Sequence, residues 1–441
     1  MDDSSVISIS LPKGIRTPGE RLQGTVDLDI NLIKEKKVES VSLALRGELK
    51  VWWSLHNGNG VYNVTREKYP IFQEQTFTLW QKGNAFPSAR DGIARIPFDC
   101  IIPNGDFPPS IETGSPDTGA KVHYSLRAIG SRTGWFKQNI KVHYVFPFLP
   151  FDISASPSYS LSPVPSYSLS RGRYDWKSYA VAENVRKGLL GSSGQIRAEL
   201  ILPDIPQIPL FRIIPIRLRI RSRSKQLPHS MANNPTAFDF PRNPKLSEMQ
   251  LMFKRFATVS TSTGAKRTVE DDLGLQAGFG TPTDYAQGQN WGKDVEVSTV
   301  PPFWTLDESD PQFGYWNEEI NFSSTIVFRC PPPIQRQYLT TTYQLELTVD
   351  LPGLGNKVTL SVSPLVFTSG ILPRQEINPG LTVPNNRRAP SPRSRSPSPM
   401  PHISSEIDLP PSYYQVPPYE EEQPLNSNEK GSGDYRNLTT Q

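Results

Sequence analysis

Gly24-Thr-Val-Asp-Leu-Asp-Ile30 alternates apolar and acidic side chains. Val26, Leu28 and Ile30 fall on one side and Asp27 and Asp29 on the other, the period of two that marks a half-buried strand. Thr17-Pro18-Gly19-Glu20 before it is a turn, and Val6-Ile7-Ser8-Ile9 opens an earlier strand. The same alternation recurs downstream, in 41–47, in Ile96-Pro-Phe-Asp-Cys-Ile-Ile102, in 122–128 and in 140–144. Short alternating runs separated by Gly, Pro and Asn turns predict an antiparallel β-sandwich over residues 1–152. Residues 52–70, which contain Asn57-Gly58-Asn59-Gly60, read as a long polar excursion between strands.

Residues 153–195 read as a linker rich in Ser, Pro and Tyr, with a short helix over 175–190 started by Asp175 and stopped by Gly191. Alternation resumes at Ile196, Ala198, Leu200 and Leu202, and is strong in Ile214-Pro-Ile-Arg-Leu-Arg-Ile-Arg221. Further strands are predicted at 251–259, 321–328, 343–349, 357–362 and 365–367, giving a second sandwich over 196–373. Two polar stretches, 226–248 and 260–300, read as long loop inserts in it. From 374 to 441 the composition is basic, then acidic, with little aliphatic content. Such a tail cannot bury enough apolar surface to offset chain entropy, and disorder is expected there. The fold class predicted is therefore all-β: two immunoglobulin-like antiparallel sandwiches and a disordered C-terminal tail.

Composition narrows the function. The chain of 441 residues holds 44 Pro, which disfavours long helices. A net charge of +4 is too small to imply nucleic acid, and no stretch approaches a membrane span. Two distant cysteines, Cys100 and Cys330, do not make a disulfide framework and fit a reducing compartment. Nucleophile elbow, phosphate loop and metal-ligand cluster are all missing, so an enzyme is not expected, nor a cofactor. Lys-Val-His-Tyr occurs twice, but His123 and His143 alone are too few ligands for zinc, and both read as solvent-facing strand residues.

The tail carries the motif with a mechanism. Pro410-Pro411-Ser412-Tyr413 is P-P-x-Y, and Val416-Pro417-Pro418-Tyr419 is a looser copy. Adjacent prolines hold the backbone near polyproline II, the form that WW domains take into an aromatic-lined groove. Ser391, Ser396 and Ser398 each precede a Pro in a basic tract and read as phosphorylation sites. Arg217, Arg219, Arg221 and Arg223 share the outer face of one strand, a candidate contact for anionic lipid or phosphorylated cargo.

Pro18-Gly19-Glu20, Gly24 and the Val26, Leu28, Ile30 alternation resemble the opening of an arrestin N-terminal domain. The run Phe98 to Pro103, then Phe107-Pro108-Pro109-Ser110, then Val122-His123-Tyr124-Ser125-Leu126, is similar to the middle of that domain. There a strand ends at a Pro, an L-P-P-S-type turn follows, and the next strand carries a Tyr. Phe107 stands where that turn has Leu. The second half resembles an arrestin C-terminal domain more loosely. Two such sandwiches with a PPxY tail resemble the α-arrestins, the arrestin-related trafficking adaptors. The resemblance implies an adaptor that brings a WW-domain HECT-type ubiquitin ligase to a membrane transporter or receptor cargo. It implies a cytoplasmic protein recruited to the plasma membrane and endosomes, in peripheral contact with the membrane. The alternatives are a sorting or pH-signalling scaffold without a ligase, and an RNA-associated protein using the Arg/Ser tract. No nucleic-acid partner is expected on the first reading.

Overall fold

The structure, a computed structural model, describes residues 5–57, 61–87, 89–134, 138–152, 175–188, 191–279, 295–351 and 356–371. Its body is two antiparallel β-sandwiches. The first contains β1 (Ile7–Ser10), β2 (Arg21–Asp29), β3 (Val38–Asn57), β4 (Val61–Pro70), β5 (Gln75–Gln81), β6 (Ala89–Arg90), β7 (Ile93–Ile101), β8 (Ile111–Gly114), β9 (Thr118–Arg132) and β10 (Ile140–Phe146). One sheet runs β1-β2-β7-β6. The other runs β10-β9-β3-β4, with β5 also on β3 and β8 also on β9.

Leu22, Val26 and Leu28 of β2 face inward and are fully buried, as their spacing predicts. Each such side chain contributes roughly 1.5–3 kcal/mol on burial. Gly24 sits between them because a Cβ there would lie 2.3 Å from the Ser10 carbonyl oxygen and 2.6 Å from the Phe98 ring. Ile30 departs from the expected strand and begins a short helix, α1 (Ile30–Glu35). The Asp29 carboxylate ends the strand by accepting from the N–H groups of Asn31 and Leu32, each at 2.9 Å. The expected polar excursion at 52–70 is instead the hairpin β3–β4, which continues the 20-residue β3 into the sheet.

The second sandwich contains β11 (Trp176–Arg186), β12 (Ser193–Pro203), β13 (Ile208–Pro209), β14 (Ile213–Ser224), β15 (Leu227–Pro228), β16 (Met249–Ser260), β17 (Lys266–Leu275), β18 (Glu296–Leu306), β19 (Phe313–Val327), β20 (Leu339–Asp350), β21 (Lys357–Val362) and β22 (Phe367–Thr368). One sheet runs β11-β12-β14-β19-β15 with β18 on β19, the other β17-β16-β20-β21, and β13 pairs with β22.

Three expectations are corrected here. The helix predicted over 175–190 is the strand β11, paired with β12 from Trp176↔Pro203 to Arg186↔Ser193. The second sandwich therefore begins near 175 rather than at 196; ladder hydrogen bonds override a weak helical pattern. The stretch 226–248 is not a bare loop. It carries β15 and three 3₁₀ turns, and buries Phe238 and Phe240. Within 260–300, residues 266–275 form β17 and β18 starts at Glu296. Among the described residues no helix is long and apolar enough to cross a membrane.

The two sandwiches share a plan that the sequence reading caught in only one of them. Tyr124 of β9 is fully buried and donates its hydroxyl to the Pro108 carbonyl at 2.6 Å. Tyr343 of β20 is fully buried and donates to the Pro331 carbonyl at 2.8 Å. Phe148 packs 4.2 Å from the Tyr124 ring, and Phe367 lies 5.4 Å from the Tyr343 ring. In both, a Pro-rich turn precedes the strand and a phenolic O–H ties that turn to the core, satisfying a carbonyl that could not be buried alone.

Candidate functional site

Pro410, Pro411, Tyr413, Val416, Pro417, Tyr419, Ser391, Ser396 and Ser398 all lie outside the described residues. The body offers three places where charge is concentrated.

The first is the arginine row of β14. Antiparallel pairing sets β14 between β12 and β19, so the guanidiniums lie among side chains brought by β11, β12 and β19. Arg217 lies over the Trp176 ring at 4.3 Å and Arg223 over the Tyr315 ring at 3.5 Å. Arg219 reaches Glu199 at 3.4 Å and Glu319 at 3.6 Å, and Arg221 reaches Glu319 at 2.9 Å. Burial pushes the Glu319 carboxyl up, but hydrogen bonds from Arg221 and Asn321 and the two arginine charges hold it below the usual range. The row expected to face an anionic partner is thus engaged with two glutamates and two aromatic rings of its own domain.

The second is the outer face of the β10-β9-β3-β4 sheet. Strand register aligns Lys68 of β4, Lys50 of β3 and Lys121 of β9 side by side. The next position along holds Glu48 opposite His123, and two further on Arg127 lies opposite His143. Glu48 is shared by Arg46 at 3.1 Å and Lys50 at 3.4 Å, and Glu74 by Arg46 at 2.7 Å and Arg127 at 3.0 Å. Lys121 meets Glu112 at 3.0 Å. A groove of about 600 Å³ opens on this face, lined by Arg46, Glu48, Lys68, Pro70, Phe72 and Glu74.

Both histidines belong to this face, but they are half-buried beneath the longer side chains rather than solvent-facing; the His123 side chain is 13% exposed. Burial, with Lys50, Lys121 and Arg46 nearby, brings His123 down to about 3. Burial, with Arg127 and Arg46 nearby, brings His143 down to about 4. Both are neutral at pH 7. His143 is in register with Arg127, four residues along β9 from His123, or roughly 13 Å. The pair therefore cannot share a metal ion. Among the described residues no group of three His, Cys, Asp or Glu side chains could hold one.

The third is the junction between the sandwiches, which periodicity could not reveal. Asp271 of β17 accepts from Arg255 Nε at 2.8 Å, from the Gly114 N–H at 2.9 Å and from the Thr113 hydroxyl. Arg255 also donates to the Glu112 carbonyl at 2.6 Å. The Arg255 and Asp271 side chains are 9% and 16% exposed, so this is a buried ion pair clamped on the β8–β9 hairpin of the first domain. Alongside it Ser262 donates twice to Glu67, both at 2.9 Å, and Tyr69 stacks on Tyr338 with centroids 3.7 Å apart. Ala257, Val259, Ile334 and Leu339 of the second domain join the apolar core of the first. At the end of the body, Asp152 donates its N–H to the Ile371 carbonyl at 2.8 Å. Ile371 thus lies beside the end of the first domain.

No protein-family model matches the chain, and no curated protein matches it.

Proposed function

We propose that this chain is a cytoplasmic trafficking adaptor. Its two-sandwich body engages an integral-membrane transporter or receptor, and Pro410 to Tyr419 recruits a WW-domain HECT-type ubiquitin ligase to that cargo. The reading rests on one pairing: two P-P-x-Y-type motifs, with tyrosines six positions apart, follow a body of two jointly packed β-sandwiches. The adaptor performs no bond-breaking chemistry. It raises the concentration of ligase at the cargo, which by effective-concentration arithmetic changes modification rates without new catalytic groups. Phosphate at Ser391, Ser396 and Ser398 would reverse the local charge of the basic tract and so regulate the tail.

Pro410-Pro411-Ser412-Tyr413 carries most of the docking, because Val416 replaces a motif proline in the second copy and leaves it less restricted. The tyrosines span under roughly 20 Å in polyproline II, too little for two WW domains at once. Calorimetry of a 403–428 peptide with an isolated WW domain tests this. Tyr413→Ala should weaken binding strongly and Tyr419→Ala modestly, at one domain per peptide. Absence of binding by the unaltered peptide refutes the adaptor reading.

A further inference from the structure

Strand β18 is the edge of its sheet; among the described residues it pairs with β19 alone. Edge strands are commonly guarded by charge, as β17 is by Lys266, Arg267, Glu270, Asp271 and Asp272. From Val297 to Leu306, β18 carries no charged residue, and Val297, Val300, Phe303 and Leu306 stand exposed. Between Val300 and Phe303 the ladder slips: three positions on β18 face two on β19, from Val300↔Glu319 to Phe303↔Asn317. Pro301 and Pro302 fill this bulge, exposed, with no N–H to give to a ladder. Each proline fixes its own φ and keeps the residue before it extended, so Pro301 is restricted to the polyproline II region. Register puts Val300 and Phe303 on the same outer face, beside Glu319 and Asn317, which lie opposite Arg221 and Arg223. Next along the strand, the Trp304 ring packs on Trp316 with centroids 5.6 Å apart, and a Cβ at Gly314 would come within 2.5 Å of it. The bulge is therefore held on a packed aromatic base.

Val300-Pro301-Pro302-Phe303 matches Val416-Pro417-Pro418-Tyr419 at three of four places, with Phe for Tyr at the fourth. The geometry points to a further docking site, on the body: Val300 to Phe303 takes the aromatic-lined groove of a WW domain. This deepens, and rests on, the adaptor reading. The occupant follows from the side chains. An exposed proline pair suits aromatic walls, and Phe303, 36% exposed beside it, suits the apolar slot that a motif tyrosine fills. An added strand suits the place poorly, because the bulge and two prolines interrupt the row of N–H groups it would pair with. Phenylalanine brings no hydroxyl, so this site is weaker than the Tyr413 motif by roughly the worth of one hydrogen bond, about fivefold. Its use lies in its separation from the tail. Tyr413 and Tyr419 stand too close for two WW domains at once. From Ile371 to Pro410 the chain advances 39 positions, a reach of up to about 130 Å. A ligase bearing two WW domains then holds tail and body together, and binds more tightly than either site alone allows.

Calorimetry with the full chain and an isolated PPxY-binding WW domain tests this. Tyr413→Ala with Tyr419→Ala removes the tail motifs and should leave one weak site per chain. Adding Phe303→Ser, or Pro301→Ser with Pro302→Ser, should abolish that site, with thermal melting confirming that each variant folds. Adding Phe303→Tyr instead supplies the missing hydroxyl at an exposed position and should strengthen the weak site about fivefold. With the tail unaltered, a tandem pair of WW domains should bind the chain about tenfold more tightly than a single domain, and Phe303→Ser should remove that gain. A tail variant that binds nothing, and that Phe303→Tyr does not restore, overturns the proposal while leaving the adaptor reading intact. So does a weak site that survives Phe303→Ser. Sedimentation showing that Phe303→Ser changes self-association and leaves WW binding unaltered also overturns it, and makes this edge a contact between copies. If the free 403–428 peptide binds no WW domain, the adaptor reading fails. Binding by the full chain that depends on Phe303 then upholds the body site, and its absence ends both.

Discussion

Asp271→Ala removes the acceptor that Arg255, Thr113 and Gly114 share at the domain junction. The Arg255 guanidinium, on a side chain 9% exposed, would keep only the Glu112 carbonyl at 2.6 Å. Stranding a buried charge in this way costs about 3–5 kcal/mol. Arg255→Met is the milder change, because Asp271 retains the Thr113 hydroxyl and the Gly114 N–H; about 2 kcal/mol is expected. Arg255→Met with Asp271→Ala leaves neither charge behind. It should cost about 3 kcal/mol, less than the sum of the single changes by about 2–4 kcal/mol. Urea unfolding followed by tryptophan fluorescence measures all three. The pH dependence gives a second reading. Burial pushes the Asp271 carboxyl up, but the Thr113 hydrogen bond, the Arg255 charge and the Gly114 N–H together hold it below the usual carboxylate range. A depressed folded pKa contributes stability that is present above the unfolded value, near 4, and lost as pH falls through the folded one. The gap between the unaltered protein and Arg255→Met should therefore shrink below about pH 4. A loss under about 1 kcal/mol for Asp271→Ala, or additive single changes, would falsify the claim that this pair fastens the junction.

Tyr124→Phe and Tyr343→Phe each leave a proline carbonyl without its donor, and each should cost about 1–2 kcal/mol in urea unfolding; a change in one domain only would mean the two corners are not equivalent. His123 and His143, at about 3 and about 4, bind protons less readily folded than unfolded, so stability should fall as pH drops from about 6.5 toward 4. Replacing both by Gln should flatten melting temperature across that window, and an unchanged slope counts against the buried placement. Cys100 and Cys330 are buried, and burial pushes the Cys100 thiol up to about 11 and the Cys330 thiol higher still. A thiol reagent should label neither in the native protein and both in urea; rapid native labelling contradicts their core positions.

Strand existence and facing were legible along most of the chain, because a side chain's face follows from its parity along a strand. Val26 and Leu28, Ile96 to Ile102, and Ile214 to Ile220 needed no partner to reveal the two cores. The character of the tail was equally local, being a matter of proline spacing and charge. What parity cannot give is the neighbour. Arg217, Arg219, Arg221 and Arg223 were assigned to one outer face correctly, but Glu199, Glu319, Trp176 and Tyr315 arrive there from three other strands. The edge strand β11 lies exposed over most of its length, so it lacks the clean alternation that would set it apart from a helix; its pairing with β12 decides its form. The lysine row depends on the register of three strands, and the junction joins Thr113 to Asp271 across 158 residues. Local pattern fixes which way a residue points, whereas only the assembled sheets fix what it meets, since hydrogen-bond register is a property of pairs of strands.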